Sequence, residues 1–294
     1  MNLQPLPIRT KIYHGETITS YAHRAAISNH TTLREVELEL RSRGILRSRA
    51  RSTDSRACVW RQLGQLHTDA FRSPTTHRDN PVHERPLCLR CCRGQPSSGR
   101  LPEIGLVCLR HRRWLGRPQF DLHDYRPALA AERRFRTLHA QRGLLIDGET
   151  MRISIEAAAL ALGSDLATAR QRTGITDEHV LLYREQVAIA QTLTSRHFLD
   201  TACDPRLPAP DRRAFIDSQI QKALNVPAAH PNVWRATGRV WTVTRALADE
   251  LLDAAFIGRK PSDSVFQLLQ YSSLADGQGL PRPDTSGPVD SLSA

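Results

Sequence analysis

The chain has 294 residues and a formal net charge of +11, with 24% charged and 5% aromatic residues. That length holds one large domain or two to three small ones, and so few aromatics suit several small helical layers better than one large sheet core. No apolar run approaches the roughly 18 residues of a membrane span, and the opening MNLQPLPIRTK has no apolar signal segment. The six cysteines are therefore read as reduced thiols of a cytoplasmic protein, available to metal. The excess of base is one-sided. Residues 1–142 carry 26 Lys and Arg against 12 Asp and Glu, and residues 143–294 carry 15 against 18. Lysine occurs only at Lys11, Lys222 and Lys260. A GC-rich genome would favour arginine over lysine, but not base over acid in one half. The first half is expected to meet a polyanion, nucleic acid or an acidic nucleoprotein.

Residues 3–9 contain two prolines and are expected to be extended. A helix is expected from about Glu16 to Ser28, with Ile18, Tyr21, Ala22, Ala25 and Ala26 on its apolar face. Asn29 and His30 make a turn. Thr31 or Thr32 then caps a second helix, with Glu35 placed for a capping box and Leu33, Val36, Leu40 and Ile45 continuing the stripe. The spacing of Ala26, His30, Leu33 and Val36 fits a helix-turn-helix, and fits an ordinary helical hairpin equally well.

Residues 41–61 contain Arg41, Arg43, Arg47, Arg49, Arg51, Arg56 and Arg61 against one acid, Asp54. Guanidinium forks match phosphate oxygens, so Arg41, Arg43, Arg47, Arg49 and Arg51 are read as nucleic-acid contacts; the plainer reading is a solvated face. Cys58, beside Trp60, is expected to be buried. His67, His77 and His83 are isolated and are not read as ligands.

Cys88 and Cys91 form a C-x2-C pair, and Cys108 and His111 a C-x2-H pair after a 16-residue gap. Two such turns converging on one ion are the layout of a structural zinc site, closed by four ligands and leaving no position for substrate. One structural Zn2+ is expected. Cys92 is read as a bystander, because adjacent residues splay apart. Arg112, Arg113 and Trp114 sit at the edge of this element and are read as a partner contact, since Arg and Trp dominate interface energies when desolvated. The alternative is that Trp114 and Leu115 cover the metal site.

The stretch LPIRTKIYHGETITSYAHRAA resembles the opening of the TniQ family through Leu6, Pro7, Gly15, Glu16, Ser20, Tyr21, Arg24 and Ala25. CLRCCRG followed by VCLRHRRWLG resembles that family's zinc motif through Cys88, Cys91, Cys108, His111 and Leu115. The resemblance covers roughly residues 5–120. His14 replaces the family's usual proline, and Cys203 is the only cysteine after residue 108, which leaves no second zinc ribbon of the kind longer members carry. The resemblance implies a non-catalytic adaptor of DNA transposition, which binds target DNA or a target-recognition complex and recruits an AAA+ ATPase.

Further on, a helix is expected over Asp124–Gly143, packing Leu129, Phe135 and Leu138 and exposing Arg133, Arg134 and Arg136. Ile153–Thr173 fits the helix-turn-helix template, with Ala159 inward, Gly163 at the turn, and Leu166 and Ala169 inward again. Ser164, Thr168, Gln171 and Arg172 would face a DNA groove; a plain bundle of small-residue helices is the alternative. Asp177–Leu199 reads as one long helix, about Asp211–Leu224 as another, and Asn232–Ile257 as a third. Trp234 and Trp241 lie seven apart on one face of that third helix, as core or partner groove. Residues 273–294 read as a disordered tail.

No phosphate loop, nucleophile elbow or H-E-x-x-H motif occurs, and no enzyme is expected. The fold class expected is mostly α, with helix-turn-helix-like modules flanking a zinc knuckle or ribbon. The divisions are 1–84 (N-terminal helical module), 85–120 (zinc element), 121–272 (C-terminal helical bundle) and 273–294 (tail). The alternative function is a stand-alone helix-turn-helix regulator or defence-system component using the same module. The oligomeric state is open, a dimer among the options.

Overall fold

The computed structural model describes residues 3–46, 53–72, 82–226, 230–257, 268 and 270–273. The chain divides into two compact units, residues 1–123 and 124–294. The fold is mostly helical. Among the described residues no helix is long and apolar enough to cross a membrane.

The first unit opens with α1 (Ile18–Ser28), α2 (Leu33–Ser42) and α3 (Thr53–Gly64). The Thr17 hydroxyl accepts from Ser20 N and starts α1 two residues later than the sequence suggests. At α2 the expected capping box is complete: Thr32 Oγ1 accepts from Glu35 N, and the Glu35 carboxylate accepts from Thr32 N. Between them His30 adopts φ +57°, and the Asn29 side chain ties the helix end to the Ile8 backbone. Residues 53–64 overlap the end of the arginine-rich run, which offered no helical reading, yet they form α3. Ala57, Val59, Trp60 and Leu63 of α3 are buried, with Trp60 packing beside Tyr21 of α1 and Leu40 of α2. Cys58 is exposed and not buried. At about 100° per residue it lies opposite the arc that holds its four buried neighbours.

Two short antiparallel pairs complete this unit. β1 (Arg85–Pro86) pairs with β2 (Ser98–Gly99), and β3 (Val107–Cys108) pairs with β4 (Arg113–Trp114). Residues 15–17 run alongside β2: Thr17 N donates to Ser98 O at 3.1 Å and Arg100 N to Gly15 O at 2.9 Å. That approach needs two glycines. Gly15 has φ +68°, and a Cβ on Gly99 would stand 2.5 Å from the Gly15 carbonyl oxygen.

The second unit comprises α4 (Arg126–Arg142), α5 (Glu149–Leu162), a 3-10 turn (Gly163–Asp165), α6 (Leu166–Thr173), α7 (Glu178–Leu193), α8 (Arg196–Ala202), α9 (Ala209–Leu224) and α10 (Val233–Ile257). α7 is the central element, packed against α4, α5 and α9 and buried over most of its circumference by Val180, Leu181, Leu182, Tyr183, Val187, Ala188 and Ile189, with Arg184 and Gln191 exposed. Three expectations are corrected here. The helix read as continuous to Leu199 ends at Leu193. The Thr194 hydroxyl turns back onto Ala190 O, and Arg142 donates to Gln191 O, so the last carbonyls are satisfied and α8 begins afresh. Ala159 is exposed; Ala157, Ala158 and Ala161 are the small residues on the buried side of α5. Arg136 is half-buried beside Glu132, a fully buried carboxylate that also accepts from Tyr183 Oη at 2.8 Å.

Candidate metal centre

The two ligand pairs arrive on two backbone knuckles. After β1 the chain turns through Cys88–Cys91, closed by Cys92 N to Cys88 O at 3.0 Å and Gly94 N to Leu89 O at 2.7 Å. Between β3 and β4 it turns through Cys108–His111, with Arg112 at φ +49°. Gln119 holds the first knuckle from across the element: its Oε1 accepts from Leu89 N and its Nε2 donates to Leu87 O. Arg85 donates to the carbonyls of Leu101, Ile104 and Gly105 and fixes the connecting loop.

The ligand atoms of Cys88, Cys91, Cys108 and His111 all lie within 4.8 Å of one another. Metal–ligand bonds of about 2.3 Å to sulfur and about 2.0 Å to nitrogen imply tetrahedral edges of about 3.8 Å between sulfurs and about 3.5 Å from sulfur to nitrogen. Cys91 Sγ lies 3.8 Å from Cys108 Sγ, and His111 Nδ1 lies 3.2, 3.6 and 3.7 Å from the sulfurs of Cys91, Cys88 and Cys108. These four residues could hold a metal ion, and three thiolates with one imidazole suit zinc. The Cys88 thiol is drawn down to about 4, first by the hydrogen bond from Cys108, and the same bond holds the Cys108 thiol well above its ordinary range. Cys92 stands apart: it is buried, and burial pushes its thiol up to about 11. It is not one of the four clustered ligands.

A second constellation sits against this element, and it consists of the residues that the sequence reading took only as an opening box. Glu16 and Arg24 form a buried ion pair, Arg24 Nη2 to Glu16 Oε2 at 2.6 Å and Nε to Oε1 at 2.8 Å. Glu16 also accepts from Tyr13 N and Ser20 Oγ. Arg24 reaches Gln95 Oε1 and Lys11 O, and its guanidinium stacks 4.3 Å from the Tyr13 ring centroid. Tyr13 Oη in turn donates to Cys92 O. The box residues therefore bind α1 to the knuckle element.

The remaining expected site residues are dispersed. Arg41 pairs with Glu37 and Arg43 with Glu39, each along α2; Arg47, Arg49 and Arg51 lie outside the described residues, as do His77 and residues 274–294. Ser164, Thr168, Gln171 and Arg172 are all exposed, and Ser164 Oγ accepts from Asn232. The turn between α5 and α6 passes through Gly163 at φ −55°, ψ −36°, in the right-handed helical region. Trp114 is 2% exposed and packs its indole against Gly116, and Arg113 donates to Gln119 O. Of that trio only Arg112 stands in solvent. Trp234 is 61% exposed, with Arg235 over its ring, and Trp241 is half-buried with Arg212 over its ring. Comparison with protein-family models, curated proteins and solved structures returned no match.

Proposed function

We propose that this chain is a non-catalytic, DNA-binding zinc adaptor of the TniQ kind, which links target DNA or a target-recognition complex to an AAA+ ATPase. The observation that carries the reading is the joining of the two resemblance boxes in one unit. The Glu16–Arg24 pair reaches Gln95 and, through Tyr13, the Cys92 backbone. That is what a resemblance resting on both boxes at once would require of the fold. The base excess of the first half supports a polyanionic partner. A closed four-ligand site supports a structural role for the metal, with no open position for chemistry. The exposed set on α6 and its preceding turn supports a second, weaker DNA contact.

A stand-alone regulator built on the same module is the second reading, favoured by the completed capping box and left-handed turn between α1 and α2. The test uses the full zinc-loaded chain. Salt-dependent duplex binding together with capture of an AAA+ ATPase from a neighbouring gene, where the genome carries one, supports the adaptor. A dimer with a palindromic footprint and no ATPase partner supports the regulator. Absence of any nucleic-acid binding overturns both.

A further inference from the structure

The two knuckles share one pattern, Cys-Leu-Arg followed by a second ligand: Cys88-Leu89-Arg90-Cys91 and Cys108-Leu109-Arg110-His111. In each, the leucine is half-buried and the arginine is exposed. Each knuckle then continues through an exposed arginine in left-handed conformation, Arg93 at φ +50° and Arg112 at φ +49°. A left-handed backbone normally favours glycine or asparagine, and its cost for other residues is met most often at functional sites. The convergence of the ligand pairs brings the tips together: Cys91 Sγ lies 3.2 Å from His111 Nδ1, and Arg90 and Arg110 immediately precede those two residues. Among the described residues none of Arg90, Arg93, Arg110 and Arg112 pairs with a carboxylate, in contrast to Arg24, Arg41, Arg43 and Arg56 of the same unit.

We infer that these four arginines form one phosphate-gripping surface, which takes the sugar–phosphate backbone of duplex DNA across the two knuckle tips. The inference rests on the nucleic-acid reading above and moves the contact away from Arg41 and Arg43, which are already paired with Glu37 and Glu39. A protein partner fits the surface less well. Interfaces between proteins are anchored by a desolvated apolar or aromatic side chain, and here Trp114 is buried and both knuckle leucines are half-buried. A phosphate backbone asks only for charge, donors and a rigid mount, and the metal-linked turns supply the mount.

The test is a fluorescence titration of a short mixed-sequence duplex with the full zinc-loaded protein over a range of salt. Wild type is compared with the fourfold variant Arg90→Gln, Arg93→Gln, Arg110→Gln and Arg112→Gln. A control variant, Arg133→Gln, Arg134→Gln, Arg213→Gln and Arg245→Gln, changes the net charge equally in the second unit. The fourfold knuckle variant should keep its zinc and melting temperature. Its salt slope should fall by about 3 to 4, and its low-salt affinity by at least about 100-fold, while the control keeps the wild-type slope. If the fourfold variant loses zinc, the double variant Arg90→Gln, Arg110→Gln replaces it, with half the slope change expected. A steep wild-type slope that the knuckle variant retains overturns this inference and leaves the nucleic-acid reading standing. No duplex binding by wild type overturns the nucleic-acid reading itself. Binding of polyglutamate in place of duplex, lost in the knuckle variant, reassigns the surface to an acidic protein and overturns the proposal.

Discussion

In residues 1–123 the interior includes the Glu16–Arg24 pair and two of the four clustered ligands, Cys88 and Cys108; in residues 124–294 it is built mainly from Ala, Leu, Ile and Val of α5, α7, α9 and α10, with the Glu132–Arg136 pair beside them. The second unit follows the ordinary helical solution. A helix buried over most of its circumference is surrounded by others, and small residues on α5 allow close approach. Among its described residues the first unit has three short helices and two two-residue ladders, too little apolar surface to fix the knuckle element by burial alone. It depends on directional contacts that fail abruptly when one partner is lost. The difference shows that a small unit can be specified by a few stoichiometric links where a larger one relies on distributed packing.

The sharpest way to break the comparison is to remove the metal site. Cys108→Ser, or a strong chelator, should release zinc and unfold residues 85–122, because metal binding supplies about 10–16 kcal/mol in structural sites of this type. Two calorimetric transitions should resolve, with only that of the first unit lost; a single transition shifting as a whole would show that the units do not melt separately. Elemental analysis gives the metal content in parallel. Next in size is Arg24→Ala, which leaves Glu16 buried and uncompensated and should cost about 3–5 kcal/mol in denaturant unfolding. The double variant Glu16→Met, Arg24→Leu should recover part of that loss. Gly99→Val follows, at about 1–3 kcal/mol in denaturant unfolding, because its side chain would press on the Gly15 carbonyl.

The smallest effect belongs to the second unit. Burial raises the Glu185 carboxyl above its ordinary range, against the opposing pull of Arg184. The folded state then holds a proton more readily than the unfolded one, so stability is present below the ordinary carboxyl range and is lost as pH rises through the raised value. Glu185→Gln should therefore melt about 2 °C higher at neutral pH and no higher in acid.

Much of this was legible in the sequence where short-range chemistry decides. Thr32 and Glu35 wrote their capping box, Cys88 to His111 wrote their cluster, and Leu129, Phe135 and Leu138 wrote the buried side of α4. What escaped was set by partners distant in sequence. α3 hid within an arginine run because its four buried residues are spaced among charges and its polar face looks like linker. The break at Thr194 depends on Arg142 taking a carbonyl some fifty residues later in the chain, which no local pattern announces. Ala159 was chosen by template spacing, although its alanine neighbours fit the buried side. Trp114 was read as an anchor by residue type alone, and Gly116, the residue that makes room for its ring, carries no such label. The role of Glu16 and Arg24 had a signal, a lone acid and base eight apart beside aromatic residues, but nothing local named Gln95 as the third member.

That third member has a consequence for synthesis. As the chain leaves the ribosome, α1, α2 and α3 emerge well before residue 95, so Arg24 and Glu16 meet while one of their acceptors is still inside the exit tunnel. The strand-like pairing of residues 15–17 also waits for Ser98 and Arg100. The earliest-made segment is thus among the last to settle, and ligation of the ion by His111 comes only after another stretch has been translated. Until then the amino-terminal helices lack the contacts from Gln95, Ser98 and Arg100 that complete their unit.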